Sequence, residues 1–318
     1  MKNFALIGAA GYIAPRHLAA VRDTGNRLVA ALDKSDSVGI LDQFFPEADF
    51  FTEFERFDRH LEKLRRQKDE RAVDFVSIAS PNYLHDAHIR FALRVGADAV
   101  CEKPLVLNPW NLDALAEVEK DFGGRVYSVL QLRLHPAVAA LREKISVENR
   151  PEKHEIDLTY ITGRGRWYAF SWKGDQAKSG GIATNIGIHF FDMLTWVFGR
   201  VQEVIVQEKS AGRVAGFLEL EKARVRWLLS LDVADLPPGQ RERGERVFRC
   251  LNIDGRNFDF SSGFTDLHTQ VYREILAGRG FGLEENRAAL DLVFRIRNAA
   301  AQPGRGPEIL NPDMGEND

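Results

Sequence analysis

Apolar and polar positions follow two different rhythms along this chain. Up to about residue 131, short apolar runs at 3–8, 28–32, 73–79, 98–101 and 126–131 are separated by segments with helical spacing, among them 14–23, 84–95 and 109–121. Parallel strands need crossover helices between them, so this alternation predicts a parallel sheet covered on both faces. The charge-dense stretch Leu61 to Arg71 reads as a solvated helix face. Beyond about residue 150 the runs lengthen and the helices between them vanish, at 154–162, 201–208, 214–220, 223–232, 246–253 and 256–260. That pattern predicts an open, mostly antiparallel sheet, with Asp254-Gly255 as a tight-hairpin signal between its last two runs. Helices are expected at 265–277, opened by Thr265 with Asp266 in its first turn, and at 284–299. The last dozen residues are rich in Pro, Gly, Asn and Asp and read as a loose or docked tail.

The turn after the first run is Gly8-Ala9-Ala10-Gly11-Tyr12-Ile13-Ala14. Small residues there let the backbone approach a pyrophosphate, whose charge rests on the amides that open the next helix. Gly8, Gly11, Tyr12 and Ile13 are the candidate contacts. The spacing departs from G-x-G-x-x-G, because Ala10 or an inserted residue stands where the second glycine belongs, and an ordinary strand-to-helix turn uses similar residues. Asp33 closes the second run, roughly 20 residues beyond the glycines. A carboxylate there accepts both ribose hydroxyls and repels a 2′-phosphate, which favours NAD over NADP, while Lys34 beside it keeps NADP open. The fold class is therefore α/β. A Rossmann domain over 1–132 precedes a C-terminal α/β domain over 133–318, which carries the large open sheet.

Composition narrows the partners. A chain of 318 residues suits two domains, and a formal charge of -3 gives no basic field for nucleic acid or an anionic membrane. Any anion site must be local. Two cysteines, Cys101 and Cys250, are too few for a disulfide scaffold and suit the cytoplasm. Cys101 reads as packing at a strand end. The apolar opening Phe4 to Ile7 imitates a short signal peptide, but Gly11, Pro15, Arg16 and His17 cut it short, and no stretch approaches the ~20 apolar residues that span a bilayer.

Three constellations carry chemistry. Ser80-Pro81-Asn82-Tyr83-Leu84-His85 follows the run 73–79, at the carboxyl edge where ligands of open α/β sheets bind. Ser80, Pro81, Asn82, Leu84 and His85 are candidates for the nicotinamide side, although Pro81 and Asn82 also suit a helix start and His85 a packing role. Glu102-Lys103-Pro104 ends the next run at the same edge. A partly desolvated lysine there shuttles a proton or stabilises an alkoxide, and the proline, cis or trans, would aim it; a surface pair of Lys103 with Glu102 is the bland alternative. In the second half, Asn185, His189 and Asp192 share a broad helix face around Gly187. A neutral imidazole at His189 would take a hydroxyl proton as hydride leaves the same carbon. No zinc-type His/Cys spacing accompanies it. The stretch Arg164 to Lys178 mixes cations with Trp167, Tyr168 and Trp172, and with Lys173 it suits a pyrophosphate or carboxylate plus a sugar or base to stack. Aromatics packing the domain junction would look similar.

Together the nucleotide turn, Ser80-Pro81-Asn82, Glu102-Lys103-Pro104 and Gly187-x-His189-x-x-Asp192 resemble the Gfo/Idh/MocA dehydrogenase family. The resemblance implies NAD(P) bound by the Rossmann domain and catalytic roles for Lys103 and His189. It also implies that Gln131, with Arg133, lines the nicotinamide site. Within the family, Gly8 to His17, Trp167 to Asp175 and Ala183 to His189 look like the branch acting on UDP-N-acetylglucosaminuronate. That branch implies NAD-dependent oxidation of the sugar 3-hydroxyl to a ketone for bacterial surface polysaccharide, with 2-oxoglutarate as the recycling oxidant of some members and tetramers as the usual assembly. Arg164, Trp167, Tyr168, Trp172, Lys173, Asn185, His189 and Lys103 are then the substrate contacts. Many relatives carry aspartate where this chain has Asn185, so a hydrogen-bonding role is expected there. Two rivals remain: a dehydrogenase of free polyols or simple sugars, which leaves the cationic aromatic segment idle, and a noncatalytic NAD sensor, which would tolerate loss of Lys103 and His189.

Overall fold

The computed structural model describes residues 1–260 and 266–311. The chain divides into two compact units, Met1–Leu134 with Thr265–Arg287, and His135–Phe264 with Ala288–Asp318. The first unit opens with strand β1 (Asn3–Ile7), helix α1 (Ala14–Asp23), β2 (Arg27–Leu32), α2 (Leu41–Phe44), β3 (Asp49–Phe51) and α3 (Phe54–Arg66). It continues with β4 (Phe75–Ile78), α4 (His85–Arg94), β5 (Asp98–Cys101), α5 (Trp110–Phe122) and β6 (Val126–Ser128). Every pairing in its sheet is parallel, in the order β3-β2-β1-β4-β5-β6. This is the doubly wound order, whose direction of winding reverses between β1 and β4. Those two strands are buried throughout and apolar except for Asn3 and Ser77, as strands covered on both faces must be.

The second unit holds α6 (Pro136–Val147), β7 (His154–Thr162), α7 (Trp167–Phe170), α8 (Gln176–Ser179), α9 (Ile188–Phe198), β8 (Val201–Lys209), β9 (Arg213–Leu220), β10 (Ala223–Ser230), α10 (Pro238–Glu242), β11 (Val247–Ile253) and β12 (Arg256–Asn257). Its sheet runs β12-β11-β7-β10-β9-β8 and is mixed: β7 and β10 pair in parallel and the remaining pairs are antiparallel. Register places Leu158, Trp227 and Gly216 side by side. Gly216 leaves room for the indole, since a Cβ there would lie 2.9 Å from Trp227 and 2.1 Å from the carbonyl of Ile205. Phe191 of α9 meets Trp227 edge-on at 5.4 Å, and Gly187 lets the start of α9 approach Leu229, which a Cβ would meet at 2.6 Å. Two helices follow, α11 (Leu267–Leu276), which belongs to the first unit, and α12 (Leu283–Asn298), which begins in the first and ends in the second.

Several expectations shift. The run expected at 126–131 stops at Ser128 and gives way to a 3-10 turn over Gln131–Leu134. The charged helix begins at Phe54, seven residues before the charge-dense stretch, because Phe57, Leu61 and Leu64 supply its buried stripe. The helix α6 is missing from the strand-and-helix pattern read above. Asp254 and Gly255 both adopt positive φ, 52° and 76°, and close the β11–β12 hairpin as their chemistry requires. Thr265 lies outside the described residues. The tail docks as far as it is described: Gln302 N–H donates to Val206 O, and Gln207 Nε2 donates to the carbonyls of Arg305 and Pro307. No described helix is long and apolar enough to cross a membrane.

Phe191 is fully buried against Trp227. Phe191→Ala should cost about 3–5 kcal/mol, seen as a lower midpoint in urea unfolding.

Candidate active site

In the first unit the turn after β1 meets the turn after β4. Gly8 has φ +95°, and a Cβ on it would lie 2.6 Å from both C and O of Ala79. Glycine is the residue that fits this backbone and this approach. Gly8 and Ala9 donate their N–H groups to Leu32 O, and Asp33 follows at the end of β2. Its Oδ2 accepts from Ala10 N–H at 3.0 Å and its Oδ1 from Ser35 N–H at 2.9 Å. Each carboxylate oxygen has a further lone pair, so these bonds aim the acid while leaving acceptor capacity for ribose hydroxyls. Tyr12 is 88% exposed beside the turn, Ile13 is half-buried, and Lys34 points to solvent. These features fit a dinucleotide: a side-chain-free cradle at Gly8 and Gly11, the opening of α1 next to it, and an acid fixed at the second strand.

The turn after β4 is built from the inside. Ser80 is buried and its Oγ bonds Nδ1 of His88 at 2.8 Å, while Pro81 O accepts from Leu84 N–H and closes a 3-10 turn over Asn82–Leu84. His85 is fully buried, with Nδ1 at 2.7 Å from Pro104 O and Nε2 at 2.8 Å from Ser80 O. Burial pushes its imidazole down, and the two carbonyls pull it up. A neutral imidazole has one N–H, so His85 donates to one of these carbonyls and sets its other nitrogen against the second, which wedges it between the Ser80 turn and the Lys103 turn. Glu102 is 6% exposed, and its side chain bonds His17 and His268 within the protein, so the bland alternative of a surface pair gives way to a buried anchor at Glu102. Desolvation opposes its charge, yet hydrogen bonds from His17 and His268 hold the carboxyl well below the usual carboxylate range. Lys103 is half-buried and its peptide to Pro104 is cis. Cys101 packs at the strand end, with its thiol pushed up by burial. Gln131 starts the 3-10 turn after β6, and its Oε1 is buried with no hydrogen-bond partner among the described residues. A buried amide oxygen of that kind fits a ring bearing a donor.

The second unit gathers the other candidates. A π-turn over Ala183–Gly187 precedes α9 and carries Asn185, whose Nδ2 donates to Tyr168 Oη at 2.9 Å. Such turns recur at functional sites. Burial pushes the Tyr168 phenol up, against Asn185 and Arg164. Lys173 Nζ lies 5.2 Å from the ring centre of Trp167 and 5.6 Å from that of Trp172. Burial, helped by the Arg164 charge, pushes the Lys173 ammonium down. Arg164 and Trp167 are exposed, and His189 is half-buried near the start of α9. The loop thus presents four cations, Arg164, Arg166, Lys173 and Lys178, and two indoles, with Tyr168 as its buried foot.

Sequence reasoning missed His17, His88, His268 and Tyr272. His17 falls on the buried stripe of α1 with Ala14, Leu18 and Val21, a position where an imidazole needs a polar partner. His17, Glu102 and His268 place one ligand atom each within 4.8 Å of one another, and these atoms pair at hydrogen-bond distances, 3.1 and 3.0 Å.

A doubly wound sheet with a glycine cradle and an aimed acid, joined to a mixed-sheet unit, defines a dinucleotide-dependent oxidoreductase. Residues 2–130 match the model of an oxidoreductase family with an NAD-binding Rossmann fold, and residues 149–230 match that family's C-terminal α/β domain. The chain belongs to the Gfo/Idh/MocA family. It is 52% identical to the WlbA (WbpB) dehydrogenase of Thermus thermophilus, solved with NAD and alpha-ketoglutarate (TM-score 0.93) and with NAD and UDP-GlcNAcA (TM-score 0.92), over 98% of this chain and 99% of that one. A protein named as a UDP-kanosamine synthase oxidoreductase subunit in Amycolatopsis mediterranei is 35% identical over 133 residues, 41% of this chain. The chain spans only 36% of that relative's length.

His88 generates a pH test. Burial pushes its imidazole down to about 4 from an ordinary value of 6.5. Between those values the unfolded chain binds the proton and the folded chain does not, so this contribution to stability is complete above pH 6.5 and drains away as pH falls toward 4. His88→Gln should flatten the pH 7.5-to-5 loss of unfolding free energy in urea titrations; an unchanged slope would mean that another group sets it.

Proposed function

We propose that this protein oxidises the 3-hydroxyl of UDP-N-acetylglucosaminuronic acid to the 3-keto sugar with NAD, a step in making bacterial surface polysaccharide such as the lipopolysaccharide O-antigen. The observation that carries the reading is the 52% identity to a dehydrogenase solved with NAD and UDP-GlcNAcA, which extends over 98% of the chain. NAD, when bound, accepts the hydride. Gly8, Gly11, Tyr12, Ile13, Asp33 and Lys34 hold its adenosine and pyrophosphate, and Ser80, Pro81, Asn82, Leu84, His85, Glu102, Lys103 and Gln131 serve the nicotinamide end. Asp33 makes the choice of NAD over NADP by accepting ribose hydroxyls where a phosphate would be repelled.

The chain's own chemistry is proton handling and anion binding. Lys103 and His189 divide the proton work: one removes the hydroxyl proton as hydride leaves, and the other polarises the oxygen. Arg164 and Lys173 meet the pyrophosphate and the carboxylate, while Trp167 and Trp172 offer flat faces to the sugar or base. A lysine already partly desolvated between two indoles loses less hydration on pairing with an anion. Asn185, fixed by Tyr168, orients the sugar by hydrogen bonds. We further read the enzyme as a cytoplasmic homotetramer that uses 2-oxoglutarate to regenerate NAD in place. Support for the last point is the Thermus thermophilus enzyme solved with NAD and alpha-ketoglutarate.

Lys103→Met and His189→Ala should each lower NADH formation from UDP-N-acetylglucosaminuronate by about 10²–10⁴-fold with NAD affinity retained. Full turnover in both variants would reject the assignment. Turnover on inositol but not on the UDP-uronate would favour a polyol dehydrogenase. A single turnover that stalls with bound NADH and restarts on adding 2-oxoglutarate would identify the recycling oxidant.

A further inference from the structure

Both chain neighbours of Lys103 are pinned by histidines. On one side Glu102 Oε1 receives Nε2 of His17, from α1, at 3.1 Å and Nε2 of His268, from α11, at 3.0 Å. On the other side Pro104 O receives Nδ1 of His85, from α4, at 2.7 Å. The network reaches further in: Nδ1 of His17 lies 2.7 Å from Tyr272 Oη, which lies 2.6 Å from Ser77 Oγ of β4. One proton arrangement satisfies this chain of contacts. The two Nε2–H groups donate to an ionised Glu102, Tyr272 O–H donates to Nδ1 of His17, and Ser77 O–H donates to the tyrosine oxygen. All of these groups are less than 10% exposed. A carboxylate so enclosed cannot wander without leaving a buried charge unpaired, so the backbone that carries Lys103 is fixed at its preceding residue by two helices and at its following residue by a third.

We propose that His17, His268 and His85 are positioning residues for Lys103, tying the helix after the glycine turn, α11 and α4 to the placement of one ammonium. The proposal rests on the reading that Lys103 takes part in the hydride-transfer chemistry. None of the three histidines needs to touch substrate for it to hold. Their contribution belongs to the rate of the chemical step, and His17 and His268, whose hydrogen bonds go neither to Asp33 nor to the glycine turn, leave NAD affinity nearly unchanged.

The test is a set of double-mutant cycles. His17→Gln, His268→Gln and His85→Gln are made singly and in the Lys103→Met background, and single-turnover NADH formation is followed with NAD and UDP-N-acetylglucosaminuronate. Each single change should slow the step by about 10- to 100-fold, as a displacement near 1 Å does, with NAD affinity changed less than threefold in His17→Gln and His268→Gln. In the Lys103→Met background the same changes should cost nothing further, since they act through the lysine. Losses that multiply with Lys103→Met, or that fall on NAD affinity alone, overturn the positioning role and leave the chemical assignment standing. A Lys103→Met variant at full rate overturns both. A substrate-independent readout covers a variant that folds poorly or a different sugar: the lysines are reductively dimethylated with ¹³C-formaldehyde and a borane hydride donor, and the Lys103 NMR resonance, assigned by its absence from Lys103→Met, should be single and sharp in the wild type. It should split or broaden in whichever histidine variants fold, and an unmoved resonance in all of them overturns the proposal.

Discussion

The approach of Gly8 to Ala79 is the constraint on which the first unit's chemistry depends. Two parallel strands end side by side, and their chains turn away in opposite directions, opening a crevice at the carboxyl edge. With a Cβ position only 2.6 Å from a backbone carbonyl, the two turns are in van der Waals contact, and no side chain can intervene. Everything proposed for cofactor binding is measured from that contact. The amide of Ala10 faces Asp33 because the turn is this tight, and Ser80 is drawn inward onto His88 because its backbone lines the other wall.

Histidines do the structural work around this edge. His85 and His88 sit one turn apart on α4, the first packed against the Ser80 carbonyl and the second bonded to the Ser80 hydroxyl. His17 and His268 close on Glu102. An imidazole is suited to such places because it carries two polar atoms on a flat, largely apolar ring, and it can serve as donor, acceptor or both. Carboxylates or lysines in the same positions would each bring a permanent charge into the core.

Much of this was legible in the sequence where one physical rule dominates. Parallel strands buried on both faces announce themselves as apolar runs, and β1, β2, β4 and β5 were read within two residues. Asp254-Gly255 named its own turn. The short strand β3 and the helix α6 were not legible, because Asp49–Phe51 is only three residues long and the residues of α6 are mostly exposed or half-buried. The return of α11 to the first unit is carried by contacts remote in sequence, such as Tyr272 with Ser77 and His17, which no local pattern encodes. Glu102 shows the same limit. Its motif drew attention to the right place, but its partners lie 85 residues before and 166 residues after it. The candidate residues were legible as chemical types at strand ends and helix starts. Their internal strapping was not.

The wide turn over Ala183–Gly187 holds one residue more than ordinary winding would need. In a regular helix each residue advances the spiral by about 100°, so excising Ile186 or Gly187 would rewind the segment and swing everything upstream around the axis. Asn185 would then lose its phase with respect to His189, and its grip on the Tyr168 hydroxyl with it. The loop from Arg164 to Ser179 is spliced to the helix through this insertion, which makes chain length here, as much as residue identity, a determinant of what the loop can present.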